Sequence, residues 1–418
     1  MIKNITDTTN KWFWVWLTAL ALFILAGSTG ALMRFGLIWG FPFGLNFANI
    51  RHAHSHLMYF GWVTPALMGL MLVWLPKMTK RPLSPNQQKQ FRFVLITVFI
   101  LAAAAYGAFM QYGYRPARFG SVQLPLSTIL ASFNMLAWYG FIVVYWRATK
   151  GLDGKRPLSL RLWDAALAFL LLATLGAWGI AVTIIFDIQS LLISAALTHL
   201  FLDTFSDGWF VLALLGLAYA AAPKASNHPW AEKSETLLIM GLPVIFLLTI
   251  PVTSLPPFVR LLASIGGLLV GIGLWGNIII LWQNSSTAWR FPLAFLALKA
   301  TTSLMITIPA LAIWAERSRL RLSYLHWLLL GFVSAGLIVV AQDMWGKDWV
   351  PARRWFNLTG LLLILTLIPL TPLWPAIWSG TWIRQAAAIA TLGPLIVAFI
   401  MLIRGYAAYR KNVVQGRG

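Results

Sequence analysis

Three of the six histidines fall within five residues, His52, His54 and His56 in "RHAHSHLMYFGW", at the head of a long apolar stretch. Two more, His199 and His326, sit in other apolar stretches, and His228 lies in a polar one. An imidazole can ligate a metal, relay a proton or pair with a carboxylate. At about 100° per residue, a helix puts His54 on nearly the opposite side from His52, while His52 and His56 share a face. One metal cannot take all three. Either His54 faces the interior, or the other two do. His199, Asp203 and Asp207 follow i, i+4, i+8 spacing and stack along one helix face. Such a line suits metal or proton handling, and equally a polar track paired with a base such as Lys299.

These side chains need elements that hold them in an apolar setting. The 418 residues are 59% hydrophobic and only 10% charged, well below the roughly 25% charged residues of a soluble chain. Spans of about 20 apolar residues cross a bilayer as helices. Twelve candidates lie near 12–37, 52–75, 91–112, 124–146, 162–186, 190–222, 235–251, 258–283, 291–314, 323–342, 355–372 and 382–403. The expected fold is an all-α integral membrane protein, a twelve-transmembrane-helix bundle forming one polytopic domain over 1–418. Spanning strands are not expected, for want of sustained alternation. No soluble domain, low-complexity tract or internal repeat stands out. The first apolar segment is too long for a signal-peptide core and reads as a retained helix. The absence of cysteine excludes disulfides, thiolate metal sites and covalently attached c-type haem.

The net charge of +21 reads as membrane topology rather than nucleic-acid binding. With the N-terminus inside, most Lys and Arg fall on inner segments, among them Lys77, Lys80, Arg81, Lys89, Arg147, Lys150, Lys155 and Arg161. Both termini are therefore expected in the cytoplasm. Spans 2, 6 and 10 then run inward. His54 and His326 fall near their outer ends at similar depth, and His199 about 13 Å deeper. Two imidazoles at matched depth on different helices could clamp one metal from both sides, as in a bis-histidine haem.

These residues carry a resemblance. The chain resembles the catalytic subunit of the haem–copper oxidase superfamily, nearest to nitric oxide reductases and cbb3-type members. The segment "AHSHLMYFGWVTPALMGL" is similar to the family's second helix, which carries an axial ligand of a low-spin haem, and Arg51 sits three residues before His54 as an arginine does in cbb3-type members. The resemblance implies His54 as that ligand and Arg51 as a partner of the haem propionates. It leaves His52 and His56 facing water or contacting a propionate. The family's tenth helix carries His-x-His. In "SYLHWLLLGFVSAGL" His326 takes the second place, as the other low-spin ligand, and Tyr324 takes the place of the high-spin ligand. On the sixth helix, His199, Asp203 and Asp207 resemble the His-x-x-x-Glu-x-x-x-Glu pattern of nitric oxide reductases. There His199 and Asp203 would form a degenerate second metal site, with Asp207 in proton delivery. The resemblance breaks at the seventh helix, where "LLTIPVTSLPPFVR" has no histidine.

The resemblance implies one low-spin haem b, with a second haem, non-haem iron or copper disfavoured. The b type is chosen because a hydroxyfarnesyl-bearing haem leaves no readable signature. The expected function is electron transfer near the outer face of a bacterial-type inner membrane, with an electron-transfer partner or other respiratory subunits and no nucleic acid. An alternative is a nitric oxide or oxygen reductase using Asp203, Asp207 and Tyr324 as catalytic residues. A third is a non-redox haem sensor, haem-handling protein or transporter. Lys299, before Thr301, Thr302 and Ser303, would join a proton path, snorkel inward or pair with an aspartate. Arg115, Arg118, Arg260, Arg317, Arg319, Arg321 and Arg384 read as outer anchors, and the 23 tryptophans as interfacial belts.

Overall fold

The structure is a computed structural model that describes residues 10–152 and 154–414. It is almost wholly helical, and ten of its helices are long and apolar enough to cross a membrane. In chain order the main helices are α1 (Phe13–Trp39), α2 (Phe47–Thr79), α3 (Pro85–Tyr112), α4 (Leu126–Thr149), α5 (Leu158–Ile185), α6 (Leu191–Ala221), α7 (Ala231–Ile245), α8 (Pro257–Asn284), α9 (Arg290–Met305), α10 (Arg321–Trp345), α11 (Arg353–Leu370) and α12 (Thr381–Val414), all but α7 and α9 being among the ten. The protein is a multi-pass membrane protein. The terminal residues 1–9 and 415–418, assigned to the cytoplasm, lie outside the described residues.

Two expected spans are shorter than their apolar runs. α7 gives way to a 3-10 turn at Phe246–Thr249, and the chain after α9 resumes as a short helix, Pro309–Arg317. Prolines explain both breaks. Pro251, Pro256 and Pro257 follow α7, and Pro309 restarts the helix after α9. Each lacks an N–H and pushes the residue before it out of the helical region. A small antiparallel hairpin pairs β1 (Ala117–Phe119) with β2 (Val122–Leu124) in the loop after α3. It turns at Gly120, whose φ of 63° suits glycine.

Helix starts are written locally. The Asn46 side chain accepts the Ala48 N–H at 2.8 Å before α2. Ser84 and Gln87 form a capping box with Pro85 in the first turn of α3. Ser190 caps α6 through the Ile193 N–H at 3.3 Å.

The chain divides into two compact units. The first holds residues 1–152, 337–370 and 374–418, and the second 153–336 and 371–373. In the first, α1 packs on α2 through aromatic rings, Trp62 meeting Trp16 at 5.4 Å and Phe23 at 5.1 Å between centroids. In the second, the buried Tyr219 hydroxyl of α6 donates to Asn277 of α8 at 2.7 Å.

A repeat runs through the spans, which the sequence scan does not anticipate. α2, α6 and α10 each contain one π-helical segment, at Leu57–Val63, Thr204–Val211 and Trp327–Ser334. The fifth residue of each is a glycine followed by an aromatic: Gly61-Trp62, Gly208-Trp209 and Gly331-Phe332. At one spacing further on come Pro76-Lys77, Pro223-Lys224 and Gly346-Lys347. These are the most buried spans, 72–78% buried against at most 56% elsewhere. Each glycine admits a side chain from the span before its own: Leu22 of α1 at Gly61, Phe169 of α5 at Gly208 and Phe295 of α9 at Gly331. Without water to drive apolar association inside a bilayer, close packing at small residues holds helices together.

Candidate functional site

His54 faces α1. Its Nδ1 meets the Ala26 carbonyl at 2.7 Å. A carbonyl only accepts, so Nδ1 carries the proton and Nε2 keeps its lone pair. The ring lies on Gly30, where a Cβ would come within 2.9 Å of Cε1. Ala26 and Gly30 are one turn apart on one face of α1, and their small size lets the ring lie against the helix. The neighbouring Thr29 bonds the Tyr106 hydroxyl of α3 at 2.9 Å and fixes that part of α1.

His52 and His56 face α3 instead. The His56 Nδ1–H donates to the His52 carbonyl at 3.0 Å, and its ring lies 3.9 Å from that of Phe109. His52 packs edge-on to Tyr114 at 4.6 Å. Both rings thus make aromatic packing contacts, where facing water or contacting a propionate was expected. Arg51 is exposed and acts electrostatically on His52 and Tyr114.

His326 lies in α10 just before the π segment, and its Nδ1–H donates to the Leu322 carbonyl at 2.9 Å. Like His54, it is therefore the tautomer with its lone pair on Nε2. Metal-ligating imidazoles are usually oriented by such a hydrogen bond from the other ring nitrogen.

The remaining residues converge in the second unit. His199 Nδ1 lies 2.9 Å from Asp203 Oδ2, which also lies 2.6 Å from the Thr249 hydroxyl. His199 Nε2 faces the Arg321 guanidinium at 3.5 Å. Deeper along α6, Asp207 pairs with Lys299 of α9 at 2.8 Å, with side chains only 8% and 4% exposed. The same ammonium donates to Ser303 Oγ at 3.0 Å, interacts with the Tyr324 hydroxyl and lies 5.6 Å from the Tyr324 ring centroid. The pair borders a small crevice walled by Val211, Leu212, Leu238, Leu242, Val270 and Leu274. Asp207 Oδ1 is buried without a hydrogen bond.

The histidine of this set is turned toward protein partners on both sides. Both nitrogens of His199 are engaged, and the lone pair a metal would need faces a cation. Among the described residues no three or more His, Asp or Glu side chains converge as a metal site, and a single imidazole with one carboxylate falls short of what copper or iron requires. Tyr324 is held by Lys299. Of the alternatives for Lys299, the structure shows the pairing with an aspartate.

No family model and no curated protein matches the chain. A solved structure does: one described as the cryo-EM structure of a haem–copper terminal oxidase dimer aligns with 98% of this chain and 84% of its own, with a TM-score of 0.69 and 13% sequence identity. The fold is that of a haem–copper oxidase. The all-α membrane architecture read from the sequence is thus shown, with ten spans meeting the length and hydropathy of a crossing helix. Sequence reasoning passed over Thr249. Thr249 sits after a helix break that no periodicity marks.

Proposed function

We propose that the protein is a membrane haem protein that transfers electrons, holding one low-spin haem b through His54 and His326. The observation that carries this reading is the state of His54. Its Nδ1–H is donated to Ala26, and its ring is seated on Gly30. His326 has the same tautomer through Leu322. Bound there, the group would supply one-electron chemistry without an open coordination position. The chain's part is to supply two oriented imidazoles in an apolar setting that sets the potential. A bacterial-type inner membrane and a separate electron-transfer partner or respiratory subunits complete the proposal.

The paired state of Asp207, Lys299 and Tyr324, with His199 held between Asp203 and Arg321, weighs against a nitric oxide or oxygen reductase. It supports a chain that keeps the fold without the reaction centre. A pyridine haemochrome assay with metal analysis tests the reading. One haem per chain, unreactive to carbon monoxide and without stoichiometric iron or copper beside it, is expected. His54→Ala or His326→Ala should abolish the low-spin spectrum, while His52→Ala should leave it. Two haems per chain, or none, would overturn the proposal.

A further inference from the structure

Along one face of α8, Gly271, Gly267, Ser264 and Arg260 follow one another at helical spacing and meet the end of α9. Leu304 lies over Gly271 and Thr307 over Gly267. Ser264 then donates to the Thr307 carbonyl at 3.1 Å, and Arg260 Nη2 donates to the Ile306 carbonyl at 2.9 Å. This packing draws Arg260 into the protein, where it is 7% exposed. Its Nε and Nη1 are buried without a hydrogen bond, and among the described residues no carboxylate pairs with it. One carbonyl satisfies one corner of the guanidinium and leaves its charge unmatched. A cation withdrawn from water with no anion beside it is costly. Lys299, buried to a similar degree, has Asp207. Two helix starts add to the same positive field. Arg260 lies in the first turn of α8, and Ile306 lies just before the short helix Pro309–Arg317. Neither start has a side-chain cap or an acidic residue in its first turn. Each leaves N–H groups and the positive end of its dipole unmatched.

We propose that Arg260 and these two helix starts bind the phosphate of a membrane phospholipid. A phosphate supplies the charge that the buried guanidinium lacks. Its several oxygens accept from arginine and from the free N–H groups of a helix start alike. The bilayer presents that phosphate joined to acyl chains, and the side chains around Arg260 suit them. Phe258 and Leu261 on α8 and Ile308 before the short helix are apolar and exposed. A free anion would gain nothing from these side chains, whereas a lipid can lay its chains along them. Trp314, exposed further along the short helix, fits the headgroup level of a membrane. Basic pockets between membrane helices take lipid headgroups by the same chemistry. Nothing in this site depends on the haem reading.

Three probes separate the phosphate from the chains that carry it. The full-length chain, purified in detergent and stripped of lipid, is titrated with dioctanoyl phosphatidylglycerol, with dioctanoylglycerol and with inorganic phosphate. Native mass spectrometry counts what is bound. The unaltered protein should bind the phosphatidylglycerol about tenfold or more tightly than either of the others, the size of a charge-assisted hydrogen bond. Arg260→Gln should bind phosphatidylglycerol and dioctanoylglycerol alike. Arg260→Lys should retain part of the preference, and it decides the matter where the glutamine variant fails to fold. Arg384→Gln, at an exposed arginine of α12, should discriminate as the unaltered protein does. A residue that only caps the Ile306 carbonyl predicts something different. Arg260→Gln would then lose thermal stability equally with and without lipid and keep its preference for phosphatidylglycerol, a result that overturns the proposal. Dioctanoylglycerol bound as tightly as phosphatidylglycerol overturns it too, since apolar docking would suffice. Inorganic phosphate bound as tightly as the lipid overturns the lipid as occupant and leaves a site for a free anion.

Discussion

Lys299 shows what a buried charge costs and what it can replace. It sits between Asp207, Ser303 and Tyr324 and is 4% exposed. Removing one member of a buried pair strands the other's charge, at about 3–5 kcal/mol, whereas replacing both with apolar groups is often neutral or better. Lys299→Met should therefore lower stability by about 3–5 kcal/mol. Lys299→Met with Asp207→Leu should recover most of the loss. Thermal or denaturant unfolding in detergent, followed by tryptophan fluorescence, reads both. A double variant no more stable than the single one would mean that the pair does more than neutralise itself. Haem content should stay constant throughout, because neither residue belongs to the proposed haem site. The sequence marked Lys299 and Asp207 as costly groups and named their pairing as one outcome. It could not decide for the pairing, because α6 and α9 are brought together by packing between spans far apart in the chain.

The π segments of α2, α6 and α10 carry the regularity of the fold at the level of elements. Their glycines differ in what surrounds them, so their alanine variants should differ in cost. At Gly208 a Cβ would lie 2.5 Å from Phe169 Cβ, and at Gly331 2.4 Å from Phe295 Cγ. Both neighbours are stiff, close to a backbone or part of a ring. At Gly61 the nearest atoms are the tips of Leu57, at 2.7 Å, and Leu22, at 3.1 Å, and leucine tips can turn aside. Gly208→Ala and Gly331→Ala should each cost about 1–3 kcal/mol, as overpacking does, and Gly61→Ala less. Equal losses at all three would show that backbone conformation, rather than neighbour packing, sets the cost. The repeat was legible in part. Gly61-Trp62, Gly69-Leu70 and Pro76-Lys77 recur at identical spacing in Gly208-Trp209, Gly216-Leu217 and Pro223-Lys224. A scan for apolar length is blind to it, because each pair is two residues in a long run. The third copy keeps only Gly331 and Lys347 at matching places, and the π geometry reveals it where sequence identity has faded.

For the whole molecule, the charge pattern and the helix order predict an orientation that can be measured. Hydropathy placed nearly every span, because a bilayer demands long apolar helices whatever their partners. It misplaced the ends of α7 and α9, where prolines interrupt runs that remain apolar. Orientation follows from Lys and Arg in the connecting loops. The turn between α2 and α3 carries Lys80 and Arg81, and the loop between α4 and α5 carries Lys150 and Lys155. Lys155 and Arg161 pair there with Glu232 at 2.6 Å and 3.4 Å, so this positive face also ties the start of α5 to that of α7. The hairpin bearing Arg118 lies on the opposite side of α4 from that loop. The chain contains no cysteine, so single cysteines can report each side without a background. A membrane-impermeant maleimide applied to spheroplasts should label Arg118→Cys directly. It should label Lys80→Cys and Lys150→Cys only after permeabilisation, since all three residues are exposed. The reverse pattern would invert the topology. It would also put the proposed haem ligand His54 toward the cytoplasmic side, so that an electron-transfer partner would have to be sought there.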